Sequence, residues 1–201
     1  MKLSPSRRGV FLAVLAGYCL SPLVSHAANF IVGSGNDTSY LILESTNLGV
    51  RTYEVHYSYN PTTPQNSAFL IAQAVAGDPA LGVSLADYPT PQFPVNYFVN
   101  YFVLNNVQEL GSSSPPWTYW AHWVAGGAGY QATDFSYNSG PVNAASWTAS
   151  YGISTHTIQP GSSDSLFLSD GSAAPSAAPV PECSSALLAI LGSVIVFKRR
   201  R

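Results

Sequence analysis

Between Ala28 and Pro179 the sequence has no lysine and no cysteine, and its single base, Arg51, stands against nine acids: Asp37, Glu44, Glu54, Asp78, Asp87, Glu109, Asp134, Asp164 and Asp170. Binding a nucleic acid requires several Lys or Arg contacts to release phosphate counterions, so this stretch excludes a nucleic-acid partner. The two cysteines, Cys19 and Cys183, lie in the end segments. An internal disulfide and a thiolate metal centre are therefore ruled out for the central region, whose stability must come from packing. Charged residues make up only 9% of the 201 residues and hydrophobic ones 46%, too apolar a balance for a disordered chain and enough for one ordinary domain.

Motifs of chemistry are also scarce. His56, His122 and His156, with Glu54 nearby in sequence, are the candidate metal ligands, but no two histidines stand at His-x-His or His-x-x-x-His spacing. Serines are plentiful, and Asp134 and Asp164 are available, yet there is no Gly-x-Ser-x-Gly elbow. Asp164 and Asp170 lie near glycines without the alternating acidic run of a calcium loop. The sequence therefore assigns no catalytic residue, no metal and no cofactor, and is read as noncatalytic.

The two ends carry addresses. Arg7 and Arg8 precede an apolar run from Val10 to Leu20, followed by Ser25-His26-Ala27 with small residues where a signal peptidase reads. This is the layout of a secretory signal peptide over residues 1–27, cleaved after Ala27. At the other end, Pro181, Glu182 and Cys183 lead into an apolar segment from Ala186 to Phe197, which stops at Lys198, Arg199, Arg200 and Arg201. As a helix that segment would rise only ~18 Å against a ~30 Å hydrocarbon core, a marginal anchor with its bases on the cytoplasmic side. Motif, apolar segment and basic cluster together (181–201) resemble the PEP-CTERM sorting signal of Gram-negative bacteria, with Cys183 where the motif has its second proline. The resemblance implies an exosortase-type processing enzyme as partner, transient contact with the membrane, and release to the cell surface or an extracellular polysaccharide matrix. Residues 169–180, rich in Ala, Ser and Pro, read as a flexible linker.

The region 28–168 reads as mainly β with one short helix, an α+β fold built on antiparallel sheet. From Val50 to Tyr59, Tyr53, Val55, Tyr57 and Tyr59 alternate with polar residues, and Tyr40 to Glu44 precedes them across a Ser-Thr-Asn-Leu-Gly turn; the pair predicts a hairpin. A helix is predicted over Ala68 to Ala76, capped at Asn66 or Ser67, with Phe69, Ala72 and Val75 or Ala76 inward. The tandem Asn96-Tyr-Phe-Val, Asn100-Tyr-Phe-Val predicts a strand buried on both faces, turned at Asn105-Asn106. Further strands are expected at Trp117 to Val124, Ala145 to Ser150 and Ser165 to Leu168, with a turn at Pro160-Gly161.

Within Trp117 to Val124, alternation places Trp117, Tyr119 and Trp123 on one face and Trp120 with His122 on the other, so at least one row is core, and the other is either core as well, the reading the residues favour, or an exposed candidate platform for a glycan or small ligand. The order of parts from Ser67 to Leu168 also resembles the small β-rich domain at the C-terminus of transcobalamin-type proteins. The matching features are the helix Ala68-Phe69-Leu70-Ile71-Ala72, Tyr101-Phe102-Val103-Leu104-Asn105-Asn106-Val107, Tyr119-Trp120-Ala121-His122-Trp123-Val124-Ala125-Gly126, Gly152, and Ile158 to Asp164. This implies a β domain. It does not imply the vitamin, whose binding in that family also uses a large helical domain absent from these residues.

Overall fold

The computed structural model describes residues 30–89, 95–133, 136–177 and 179. Both addresses, including Pro181, Glu182, Cys183 and Lys198 to Arg201, lie outside these residues, as does Asp134. Among the described residues no helix is long and apolar enough to cross a membrane.

The chain is mainly β with one short helix. β1 (Phe30–Gly33), β2 (Asp37–Ser45) and β3 (Gly49–Tyr57) lead into α1 (Ser67–Gly77). β4 (Leu81–Asp87), β5 (Tyr97–Leu104) and β6 (Val107–Leu110) form one three-stranded sheet. β7 (Tyr119–Ala125), β8 (Ala128–Thr133), β9 (Ser136–Pro141), β10 (Thr148–Ala149), β11 (His156–Thr157) and β12 (Ser163–Ser169) complete the order. The principal sheet runs β1-β3-β2-β12-β7-β10, and β11-β8-β9 form the third. Antiparallel pairing dominates, with two parallel contacts in the principal sheet, β1 beside β3 and β12 beside β2.

The predicted hairpin is β2–β3, and its inward tyrosines and valine form the floor of the core: Tyr53, Val55 and Tyr57 are buried under α1 beside Leu41 and Leu43. α1 turns a different face inward from the one its sequence suggested. Leu70, Ile71 and Ala74 are buried and Phe69 is only partly so. Apart from Ser67 and Gln73 the helix is built of apolar residues, so its own periodicity does not select a face, and packing against the sheet decides.

The repeated strand departs from expectation for an identifiable reason. Opposite β4, Tyr101 faces Ser84 and Val99 faces Leu85, so Asn100 is the extra residue of a β-bulge. One inserted residue flips the side-chain parity beyond it. Val99 and Phe102 therefore both enter the core, while Phe98 and Tyr101 share the opposite face, only partly buried. Asn105 and Asn106 both take positive φ (50° and 66°), the left-handed pair of a tight β5–β6 turn. Part of the 169–180 segment is tied to the sheet and is not the free linker its composition suggested. Glu44 on β2 accepts the backbone N–H groups of Ser176 (3.0 Å) and Ala177 and the Ser176 hydroxyl, while Trp147 donates its indole N–H to the Ala177 carbonyl (2.6 Å). A buried carboxylate gains more from these donors than a short polar segment loses in chain entropy.

Arg51 is used inside. Its guanidinium lies 2.6 Å from Asp78 and 4.4 Å over the Phe30 ring, and Tyr53 donates its hydroxyl to the same carboxylate oxygen at 2.8 Å. Burial raises the Tyr53 hydroxyl, reinforced by Asp78. Burial likewise pushes Tyr57 up to about 12, although Ser39 hydrogen-bonds it at 2.9 Å. A raised phenol favours the native state fully below pH 10 and loses that contribution as pH climbs toward the folded value, at ~1.4 kcal/mol per pH unit for each group. Two tyrosines should thus ionise late, together with alkaline unfolding, in a tyrosinate absorbance titration, and Tyr57→Phe should make the stability loss above pH 10 shallower. Ordinary titration of every tyrosine in the native protein would contradict this.

Candidate functional site

Two arrangements concentrate chemistry. The first is an open groove of about 1050 Å³ between β5 and the β6–β7 region. The bulge at Asn100 supplies its floor by turning Phe98 and Tyr101 to the same side, and Tyr88, Tyr119 and Tyr151 add further rings. Tyr88 and Tyr151 each meet the Phe98 ring edge-on, at 5.7 and 5.8 Å between centroids. Asn100, Ser112 and Ser113 add polar groups to the lining of the groove.

The aromatic strand divides as alternation requires, though not every ring is available. Tyr119 is 54% exposed at the groove, and Trp117, 62% exposed, sits just before β7. Trp120 is core, with its ring edge-on to Phe102 at 4.9 Å and its indole N–H donated to the Glu109 carbonyl at 3.1 Å. Trp120 thus borders the groove but offers almost no ring surface to a ligand. Trp123 is half-buried, and Ala121 and Ala125 on its face are buried, so the outer row opens only at its Tyr119 end.

The second arrangement is buried and joins four residues that are scattered in sequence. Leu166 on β12 pairs with His122 on β7, which makes Asp164, two residues earlier, the diagonal neighbour of His122 on the inner face. His122 Nε2 lies 2.7 Å from Asp164 Oδ1. A bridge between Asn66 and Thr157 brings the first residue of α1 against β11, so that Ser67 Oγ meets His156 Nδ1 at 3.1 Å and also bonds Asp164 Oδ1. His156 Nδ1 lies 3.0 Å from the same Oδ1. Ser67, His156 and Asp164 are at most 1% exposed and His122 6%.

Both histidines are held from outside by glycine carbonyls. His122 Nδ1 donates to Gly152 O (3.2 Å) and His156 Nε2 to Gly126 O (2.9 Å). Gly126 and Gly152 have φ of 73° and 87°, a conformation that glycine adopts without strain, and this is what aims the two carbonyls inward. Burial alone would lower His156, but the charge of Asp164 and its hydrogen bonds outweigh that and raise it. Burial alone would raise Asp164, but the two imidazoles hold it well below the usual carboxylate range.

The sequence considered His56 and Glu54 alongside His122 and His156. The structure separates them: His56 and Glu54 pair with each other at 2.8 Å on β3, partly exposed, while Asp164 and Ser67 take their place beside the other two histidines. No short spacing signals this cluster, because Ser67 and Asp164 are 97 residues apart and His122 and Asp164 are 42 apart. No family model, curated protein or solved structure matches this chain.

Proposed function

We propose that this chain is an exported, noncatalytic surface or matrix module, delivered by its PEP-CTERM-like tail through an exosortase-type enzyme, which holds extracellular polysaccharide in the β5–β7 groove. The observation that carries the binding reading is the clustering of Phe98, Tyr101, Tyr119 and Tyr151 along an open groove with Asn100 and Ser113 beside them. Aromatic faces stack on the apolar faces of sugar rings, and amide and hydroxyl groups exchange hydrogen bonds with sugar hydroxyls. One base against nine acids in 28–179 favours a neutral glycan over an acidic one. The noncatalytic reading is supported by burial: the Ser67, His156 and Asp164 constellation offers no surface to a substrate.

Affinity electrophoresis through gels containing neutral glucan, mannan or galactan tests the binding. At least one polymer should retard the wild-type protein, and Tyr101→Ala and Tyr119→Ala should each weaken retention ~10-fold or more with little change in melting temperature. Absence of retardation across the panel, or retardation indifferent to both substitutions, would remove glycan binding from the proposal.

A further inference from the structure

The buried cluster poses a problem of lone pairs. His122 Nδ1 and His156 Nε2 both face carbonyl oxygens, which only accept, so each of those nitrogens carries the proton of its ring. A neutral imidazole then presents a bare lone pair at its other nitrogen, and both of those, His122 Nε2 and His156 Nδ1, point at the carboxylate of Asp164. The Ser67 hydroxyl can turn to His156 Nδ1 at 3.1 Å, but that nitrogen still faces Asp164 Oδ1 at 3.0 Å, and protonating both rings instead places two cations around one buried anion. Even then three donors crowd onto Oδ1, while the buried Oδ2 meets no hydrogen-bond donor among the described residues. A cation among the lone pairs satisfies all of them at once.

We propose that His122 Nε2, His156 Nδ1 and the Asp164 carboxylate, with Ser67 Oγ as a fourth donor atom, form a structural site for a divalent transition-metal ion, zinc by preference. The three ligand atoms of the two histidines and Asp164 lie within 4.8 Å of one another. Tetrahedral zinc with bonds of about 2.0–2.1 Å separates its ligand atoms by roughly 3.3 Å, so His122 Nε2 and His156 Nδ1, now 2.7 and 3.0 Å from Asp164 Oδ1, part from it by roughly half an ångström or less, and Ser67 Oγ, which lies closer to Oδ1, moves further. Two imidazoles and one carboxylate suit zinc rather than calcium or magnesium, which prefer all-oxygen cages. The glycine carbonyls of Gly126 and Gly152 do what outer partners of metal-bound histidines do: they fix the tautomer and the ring orientation. The ligands come from the first residue of α1 and from β7, β11 and β12, so the ion ties the helix to two sheets and its binding is coupled to folding.

Because the ligands are buried, loading is tested during folding. The full chain is refolded in detergent with one equivalent of Zn²⁺ or with a chelator, desalted, and its metal content and melting temperature are measured. One zinc per chain is expected to be retained, with a melting temperature higher by on the order of 10 °C than after refolding in chelator. Calcium and magnesium should give neither. His122→Gln and Asp164→Asn should each weaken zinc binding ~100-fold or more, whereas His56→Gln should leave it unchanged. Should the ligand variants fail to fold, X-ray absorption of the zinc-loaded wild type still decides: a shell of nitrogen and oxygen with two imidazoles supports the site. Wild type that retains no zinc and melts at the same temperature under both conditions overturns the proposal, as does zinc that is lost with His56→Gln.

Discussion

Trp120→Ala is expected to cost ~3–5 kcal/mol, while Trp117→Ala and Tyr119→Ala each stay within ~0.5 kcal/mol of wild type. The reason is position between layers. Trp120 on β7 meets Phe102 on β5, so this ring fills the space between the principal sheet and the β4-β5-β6 sheet, and its N–H satisfies the Glu109 carbonyl. Truncation opens a cavity where two sheets meet and leaves that acceptor without its donor. Trp117 and Tyr119, more than half exposed, lose little by truncation. Urea denaturation of the three variants provides the comparison. A loss of several kcal/mol for Tyr119→Ala would mean that the groove wall is structural, and a mild Trp120→Ala would mean that the two sheets do not pack through this ring.

Asp78→Ala should be comparably severe, ~3–5 kcal/mol, because it strands the Arg51 guanidinium in a largely buried position and removes the acceptor of the Tyr53 hydroxyl. Asp78 follows the last residue of α1 and Arg51 lies on β3, so the pair also fixes where the helix ends relative to the sheet. Replacing both charges, as Arg51→Met with Asp78→Leu, should recover much of the loss, since an apolar pair carries no desolvation penalty. If Asp78→Ala costs less than ~1 kcal/mol in urea denaturation, the pair behaves as a solvated surface bridge and the argument from burial is wrong.

The strongest local patterns were readable because they depend on neighbours alone. Tyr53, Val55 and Tyr57 alternate cleanly, and two asparagines in succession accept the positive φ of a tight turn, so the β2–β3 hairpin and the β5–β6 turn follow from a few residues each. β1, β4, β6, β8, β9 and β11 escaped notice. β1 and β11 are four and two residues long, and β4, Leu-Gly-Val-Ser-Leu-Ala-Asp, owes its place to its pairing with β5. The inner face of α1 escaped for the opposite reason, an excess of apolar residues rather than a lack.

The composition of the sequence by itself determined that residues 28–179 hold no cysteine for an internal disulfide, so that packing must hold them, and that Arg51 is the only base among them. Only the tertiary structure decided which residues meet. The parity flip at Asn100 depends on the register with β4, and this places Phe98 and Tyr101 together at the groove. The convergence of Ser67, His122, His156 and Asp164 depends on β12 lying between β2 and β7 and on α1 starting beside β11. Periodicity reports which way a side chain faces within its own element. Contacts across 42 or 97 residues are set by how strands and helix pair, and no local spacing encodes that pairing.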